Sequence, residues 1–153
     1  MNTPLEESSR ATTFELILPN KLSELERLNP WLDQCATTIG LSPRGTFRLE
    51  LLLEEVVMNI FENAYPEGAE HLICVRLIAE NAELVVRIED DGVPFDPTVV
   101  PEQKVPTSLE DAQIGGVGLH LMHSYADRLG YERCNDKNIL TLHLTDSDAE
   151  VTF

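Results

Sequence analysis

Positive charge is scarce in this chain. Eleven lysines and arginines stand against 27 aspartates and glutamates in 153 residues, for a formal net charge of −16. A molecule so acidic repels DNA, RNA and anionic lipid, so no nucleic-acid and no membrane partner is expected, and a basic protein surface suits it better. Cysteine is sparse too. Cys35, Cys74 and Cys134 are odd in number, far apart and without a C-x-x-C pair, which argues against a disulfide framework or a thiolate zinc site. Long hydrophobic runs are missing as well: no stretch approaches the roughly 20 apolar residues of a membrane span, and residues 1–13 lack the apolar segment of a signal peptide. A cytoplasmic protein is expected. Neither a Walker A motif nor G-x-G-x-x-G occurs, and the four histidines form no metal-ligand pattern.

What is present reads as one globular domain over residues 14–145, between a polar leader (1–13) and a short tail (146–153). "FELILP" alternates and stops at Pro19, as a short edge strand does. Leu22, Leu25, Leu28, Leu32 and Ile39 then recur at helical spacing and the run closes on Gly40, with Pro30 predicting a kink or a split. Ser42 as cap and Pro43 as first residue open a second helix that runs to about Ala64 and is stopped by Tyr65-Pro66-Glu67-Gly68. "HLICVRLIAE" and "ELVVRIED" are β-branched runs joined at Asn81-Ala82, a hairpin whose second strand ends at Asp90. From Val93 to about Ile114, Pro94, Pro97, Pro101 and Pro106 keep the chain irregular, and a loop of that length in a small domain is usually a lid. A third helix follows over "LHLMHSYADRL", and "YERCN" and "NILTLHL" pair around a turn at Asp136-Lys137. The order β-α-α-β-β-lid-α-β-β predicts an α+β two-layer sandwich, a mostly antiparallel mixed sheet covered on one face by three helices.

Three constellations carry chemistry. Glu55, Asn59 and Asn63 fall at i, i+4, i+8 on a helix otherwise rich in Leu, Val and Ile, so the stripe is either its solvent face or the lining of a polar pocket. Asp90 and Gly92 close a strand. A carboxylate there can accept a hydrogen bond from an exocyclic amine, and the glycine admits a flat ligand, or the pair is simply a tight turn. Gly115, Gly116 and Gly118 precede a helix, where bare backbone N–H groups meet an anion or where a lid hinges.

In this order and spacing the three resemble the nucleotide-binding boxes of the ATPase superfamily shared by gyrase, histidine kinases and the MutL repair protein, whose architecture is the Bergerat ATP-binding fold. The likeness is greatest to the anti-sigma-factor serine-protein kinases of bacterial partner-switching systems. "EEVVMNIFENAY" is similar to that family's N box, "EDDGVPFDP" to its first glycine box, "GGVGLHLM" with "ADRLGYER" to its second, and "NILTLHL" to its terminal strand. The resemblance implies ATP and Mg2+ as cofactors. It implies Glu55 as the general base toward an incoming serine, Asn59 as the Mg2+ residue, and Asp90 as the acceptor for the adenine amine, with Thr141 beneath it on the last strand. Gly92 would let the base lie close, Val93 would begin the ATP lid, and Gly115, Gly116, Val117, Gly118 and Leu119 would close over the phosphates. Of the two aspartates, Asp90 is expected to point inward and Asp91 to face solvent as turn chemistry.

The resemblance further implies partners: a STAS-type anti-anti-sigma protein as substrate, a sigma factor or equivalent regulator as captive, and a second copy as homodimer. Three features depart from the family's pattern. Asn63 stands where the serine kinases usually carry His, Lys104 is the one basic residue where an arginine commonly reaches the γ-phosphate, and Asn29-Pro30-Trp31 interrupts the helix before the N box. These leave open a second reading, a nucleotide-dependent binding switch that transfers phosphate slowly. A sensor histidine kinase is not expected, because His71, the first histidine, follows the N box; a gyrase-like or MutL-like ATPase is not expected either, since only the short tail follows the last strand.

Overall fold

A five-stranded sheet carries the described part of the chain, residues 11–81, 83–96 and 125–145 of the computed structural model. The strands are β1 (Thr12–Pro19), β2 (Leu72–Glu80), β3 (Glu83–Asp90), β4 (Arg128–Cys134) and β5 (Lys137–Thr145), in the spatial order β1-β2-β3-β5-β4. The expected mostly antiparallel sheet is antiparallel at every pairing among these strands. Tight reversals explain two of the pairings. Asn81 takes a left-handed φ of 51° between β2 and β3. Asn135 and Asp136 take φ of 52° and 62° between β4 and β5, the mirror-image turn that matches strand twist. The last turn therefore falls one residue earlier than Asp136-Lys137, and Lys137 is already in β5, paired with Cys134.

The expected first helix is split rather than kinked. A 3-10 turn over Leu22–Arg27 leads into α1 (Leu28–Ile39), and Pro30 falls in the first turn of α1, where a missing N–H disrupts nothing. Gly40 ends α1 in the left-handed region, φ 75°. Ser42 then caps α2 (Pro43–Asn63) by accepting a hydrogen bond from the Gly45 N–H at 2.9 Å, with Pro43 opening the helix as expected.

Both helices cover one face of the sheet. Leu49, Leu52, Leu53, Val56, Val57 and Ile60 recur at three- and four-residue intervals on α2 and are buried against the sheet's inward residues, among them Leu18, Val75, Leu77, Val86, Ile88 and Leu142. Alternation sorts each strand: Leu84, Val86, Ile88 and Asp90 face the helices, while Val85, Arg87 and Glu89 face the other way. The opposite face carries ion pairs, Arg76 to Glu15 at 2.8 Å and Arg87 to Glu89 at 3.2 Å. No helix among the described residues is long and apolar enough to cross a membrane. The leader's first ten residues, most of the lid, residues 119–124 of the expected third helix and the tail lie outside the described residues, and the expected end of that helix is corrected, since Arg128 and Leu129 already belong to β4.

Candidate functional site

The last residue of β3 lies in phase with buried leucine, valine and isoleucine side chains, so strand geometry alone drives a carboxylate into the core. Asp90 is 4% exposed. Its Oδ1 accepts two hydrogen bonds, from the Gly92 N–H at 2.9 Å and from Asn138 Nδ2 at 2.9 Å. Among the described residues Oδ2 accepts none. Burial pushes the Asp90 pKa above the ordinary carboxylate value, while the Asn138 and Gly92 donors restrain the rise. A buried carboxylate whose second oxygen accepts nothing among the described residues can take a further donor, such as an exocyclic amine.

The turn bond to Gly92 is made by Asp90, and this corrects the assignment of turn chemistry to Asp91. Asp91 is exposed as expected, but its carboxylate is engaged by His71 at 3.0 Å. The companion of Asp90 is likewise corrected. Thr141 pairs across the sheet with Arg87 and Gly130, on the face turned away from the helices. The residue opposite Asp90 is Asn138. The signal for it was in the sequence: Asn138 is in phase with Leu140, Leu142 and Leu144, the buried set of β5, whereas Thr141 is out of phase. Asn138 is 3% exposed and fully used. Its amide nitrogen also donates to the Val93 carbonyl at 2.8 Å, and its oxygen accepts from the Phe95 N–H at 3.3 Å, from the Tyr131 hydroxyl and from Arg133 Nη1 at 3.1 Å. One buried amide thus joins β3, β4, β5 and the first residues of the lid.

Gly92 is required by the protein itself. A Cβ at this position would lie 2.3 Å from the Ala64 carbonyl oxygen and 2.6 Å from the Ala64 Cβ. The chain after β3 is pressed against the end of α2 and held by the Val93 N–H, which donates to the Ala64 carbonyl at 2.8 Å. The close approach expected of a ligand is made by a helix end. This junction ties the turn after Asp90 to the end of α2, the helix that carries the stripe.

Along that stripe, exposure rises toward the helix end. Glu55 and Asn59 are half-buried at the margin of the apolar face, and Asn63 is exposed. Asn63 donates its amide to the Asn59 backbone carbonyl at 2.8 Å and to Asn59 Oδ1 at 2.7 Å. The Asn59 amide oxygen is thereby held in one orientation and keeps a second lone pair for a cation. Glu55, Asn59, Asn63, Asp90, Gly92 and Val93 belong to the two elements that meet at Ala64, and Thr141 does not join them. Lys104, Gly115, Gly116, Val117, Gly118 and Leu119 lie outside the described residues.

Residues 18–144 fit the family model of the histidine kinase-like ATPase domain. The chain belongs to that family. Within it, the chain falls on the serine-protein-kinase branch. It is 36% identical over 112 residues to the serine/threonine-protein kinase BtrW of Bordetella bronchiseptica, covering 73% of this chain and 79% of that protein. It is 23% identical over 121 residues to the serine-protein kinase RsbW of Halalkalibacterium halodurans, covering 76% of this chain and 74% of that protein.

Solved structures share the fold. The crystal structure of the RsbU and RsbW domains of a Mycobacterium tuberculosis protein superposes with a TM-score of 0.59 at 12% identity, over 88% of this chain and 32% of that one. A blue-light activated histidine kinase of Erythrobacter litoralis gives a TM-score of 0.52 at 18% identity, over 81% of this chain and 43% of that one. The chain therefore spans less than half the length of either structure.

Proposed function

We infer that this chain is an ATP- and Mg2+-dependent protein serine kinase that also acts as an anti-sigma factor, phosphorylating a STAS-type anti-anti-sigma protein and holding a sigma factor or equivalent regulator in a bacterial partner switch. The observation that supports the reading is the buried Asp90, whose Oδ2 accepts nothing among the described residues, at a turn that the Ala64–Gly92 contact ties to the end of the helix carrying Glu55, Asn59 and Asn63. A histidine kinase-like ATPase whose relatives are named serine kinases supplies the context.

The donor set fits a nucleotide and its metal. Asp90 would accept the adenine amine, and the apolar surroundings that raise its pKa also strengthen that hydrogen bond. Asn59 would hold Mg2+ through its amide oxygen, oriented by Asn63. When bound, the metal supplies neutralisation of phosphate charge. Glu55, half-buried on the same helix, would take the proton from the serine hydroxyl as it attacks. Phosphoryl transfer needs little covalent help from protein, so positioning by Asp90 and Asn59 and proton acceptance by Glu55 are sufficient parts. Lys104 and the segment from Gly115 to Leu119 would complete the enclosure of the phosphates. Homodimerisation and a cytoplasmic location belong to the same reading.

A second reading has one specific support. Asn63 is uncharged and spends its amide on Asn59, so it offers no cation to the phosphates, which favours a switch that binds nucleotide and regulator but transfers slowly. Incubation with γ-labelled ATP and a cognate STAS protein separates the two. Label on a STAS serine, lost in Glu55→Ala while nucleotide binding survives, is the expected result. Intact nucleotide-dependent partner binding with no transfer by wild type would leave the switch. Tight ATP binding by Asp90→Asn would undo the adenine assignment.

A further inference from the structure

His71, just before β2, contacts both segments that meet beside Asp90. Its backbone is fixed from the far side: the His71 N–H donates to Asn20 Oδ1 at 2.8 Å, and its carbonyl accepts from the Asn20 N–H at 3.0 Å. The ring stacks on Tyr65, at the end of α2, with centroids 4.6 Å apart and planes inclined by 20°. Each ring nitrogen then meets a carboxylate. Nε2 is 2.6 Å from Glu67 Oε1, in the loop after α2, and Nδ1 is 3.0 Å from Asp91 Oδ1, in the turn after β3.

Two acceptors on two ring nitrogens decide the protonation state that fits. A neutral imidazole has one N–H and would set its other lone pair against a carboxylate; the imidazolium donates to both. The geometry points to His71 as a positioning residue for the nucleotide site: as the imidazolium it adds a second tie, through Asp91, between the Asp90–Gly92 turn and the end of α2, and on deprotonation it can donate to only one of its two carboxylates and that tie weakens. The consequence for nucleotide affinity rests on the reading of Asp90 given above.

The surroundings favour the charged form. Glu67 and Asp91 touch the ring, Glu70 stands beside it paired with Lys21 at 3.7 Å, and Glu89, Cys74 and Lys137 share its cleft. Partial desolvation opposes the charge, but the hydrogen bonds and charges of Glu67 and Asp91 outweigh it and hold the His71 pKa above the ordinary imidazole value. The sign follows. A group whose pKa is raised by folding contributes fully below its unfolded value and ceases to contribute as pH rises through the folded one. The turn is thus fastened below the ordinary imidazole value and loosened as pH rises through the raised one.

The test uses the full chain with magnesium ADP as probe, titrated calorimetrically from pH about 5.5 to about 8.5, the range in which an imidazole changes charge. The Kd of wild type divided by that of His71→Gln at the same pH is expected to rise about two- to fivefold across the His71 midpoint, the size that partly exposed ion pairs allow. A ratio that stays flat overturns the proposal. In nucleotide-free protein, NMR should show the His71 ring titrating above the ordinary value, the Gly92 and Val93 amides shifting with the same midpoint, and both effects reduced in Asp91→Asn. A ring that titrates at or below the ordinary value, or amides that ignore it, also overturns the proposal. If magnesium ADP binds at no pH, the adenine reading fails on its own, and the Gly92 amide still decides whether His71 holds the turn.

Discussion

Asn138 and Asp90 face each other across β5 and β3, amide to carboxylate at 2.9 Å, and both are almost wholly buried. Removing Asn138 takes one of two donors from Asp90 Oδ1 and deprives the Val93 carbonyl and the Tyr131 hydroxyl of their partner. Asn138→Ala is therefore expected to lower unfolding free energy by about 2 to 3 kcal/mol, the cost of leaving buried polar groups unpaired. Asn138→Asp should be worse, because it sets a second carboxylate against Asp90. Urea denaturation of both variants measures the order, and a Thr141→Ala control on the opposite face should leave nucleotide affinity unchanged.

Asp90 is expected to trade stability for binding. Its pKa is raised in the fold, so the native state holds its proton more tightly than the unfolded chain does, and stability falls as pH rises from the ordinary carboxylate value through the raised one. Asp90→Asn removes that dependence. Its amide oxygen can still accept from Gly92 and Asn138, so at neutral pH the variant should melt at the same temperature or higher, by up to about 1 kcal/mol, while losing adenine binding. Scanning calorimetry with and without magnesium ADP reads both halves. A variant that melts well below wild type would show that the carboxylate charge holds the fold together.

Those residues also show how far the sequence could be read. Hydrophobic period placed the β2–β3 hairpin and cap chemistry placed Ser42, while the inward face of Asp90 was implied by the family resemblance and agrees with the alternation that burial enforces along β3. The same alternation pointed to Asn138, but the likeness of Thr141 to a familiar companion obscured a rule of phase that was already in the sequence. The need for Gly92 was not legible. It arises from Ala64, 28 residues earlier, and only tertiary packing brings the two together. His71 was illegible for the same reason, since Glu67 is one turn away in sequence but Asp91 is reached only through the sheet.

Asn63 is expected to matter to metal and not to fold. It is exposed, and its contribution is the pair of hydrogen bonds to Asn59 at 2.8 and 2.7 Å. Asn63→Ala should leave unfolding free energy within about 0.5 kcal/mol of wild type, as surface changes usually do. The Asn59 amide then rotates freely, and the Mg2+ concentration for half-maximal ATP binding should rise about two- to fivefold, the cost of reordering one side chain. Titrating Mg2+ at fixed ATP checks this, with Asn59→Ala as the limiting case in which the metal effect is lost altogether.

Gly92 gives the sharpest structural test, because its constraint has two separable parts. A methyl group there meets the Ala64 carbonyl oxygen at 2.3 Å and the Ala64 Cβ at 2.6 Å, both too close for any real contact. The helix end and the lid-side chain must move apart, which stretches the hydrogen bond from the Val93 N–H to the same carbonyl, now 2.8 Å. Overpacking of this kind typically costs about 1 to 3 kcal/mol, and Gly92→Ala should fall at the upper end because backbone, not a flexible side chain, has to give way. Adding Ala64→Gly removes the Cβ contact and leaves the carbonyl contact. The double variant should therefore recover part of the lost stability in urea denaturation, after allowance for the intrinsic cost of a glycine at a helix end. Full recovery would mean that the side chain alone sets the spacing. No recovery would mean that the carbonyl does, and that the junction beside Asp90 is fixed by backbone on both sides.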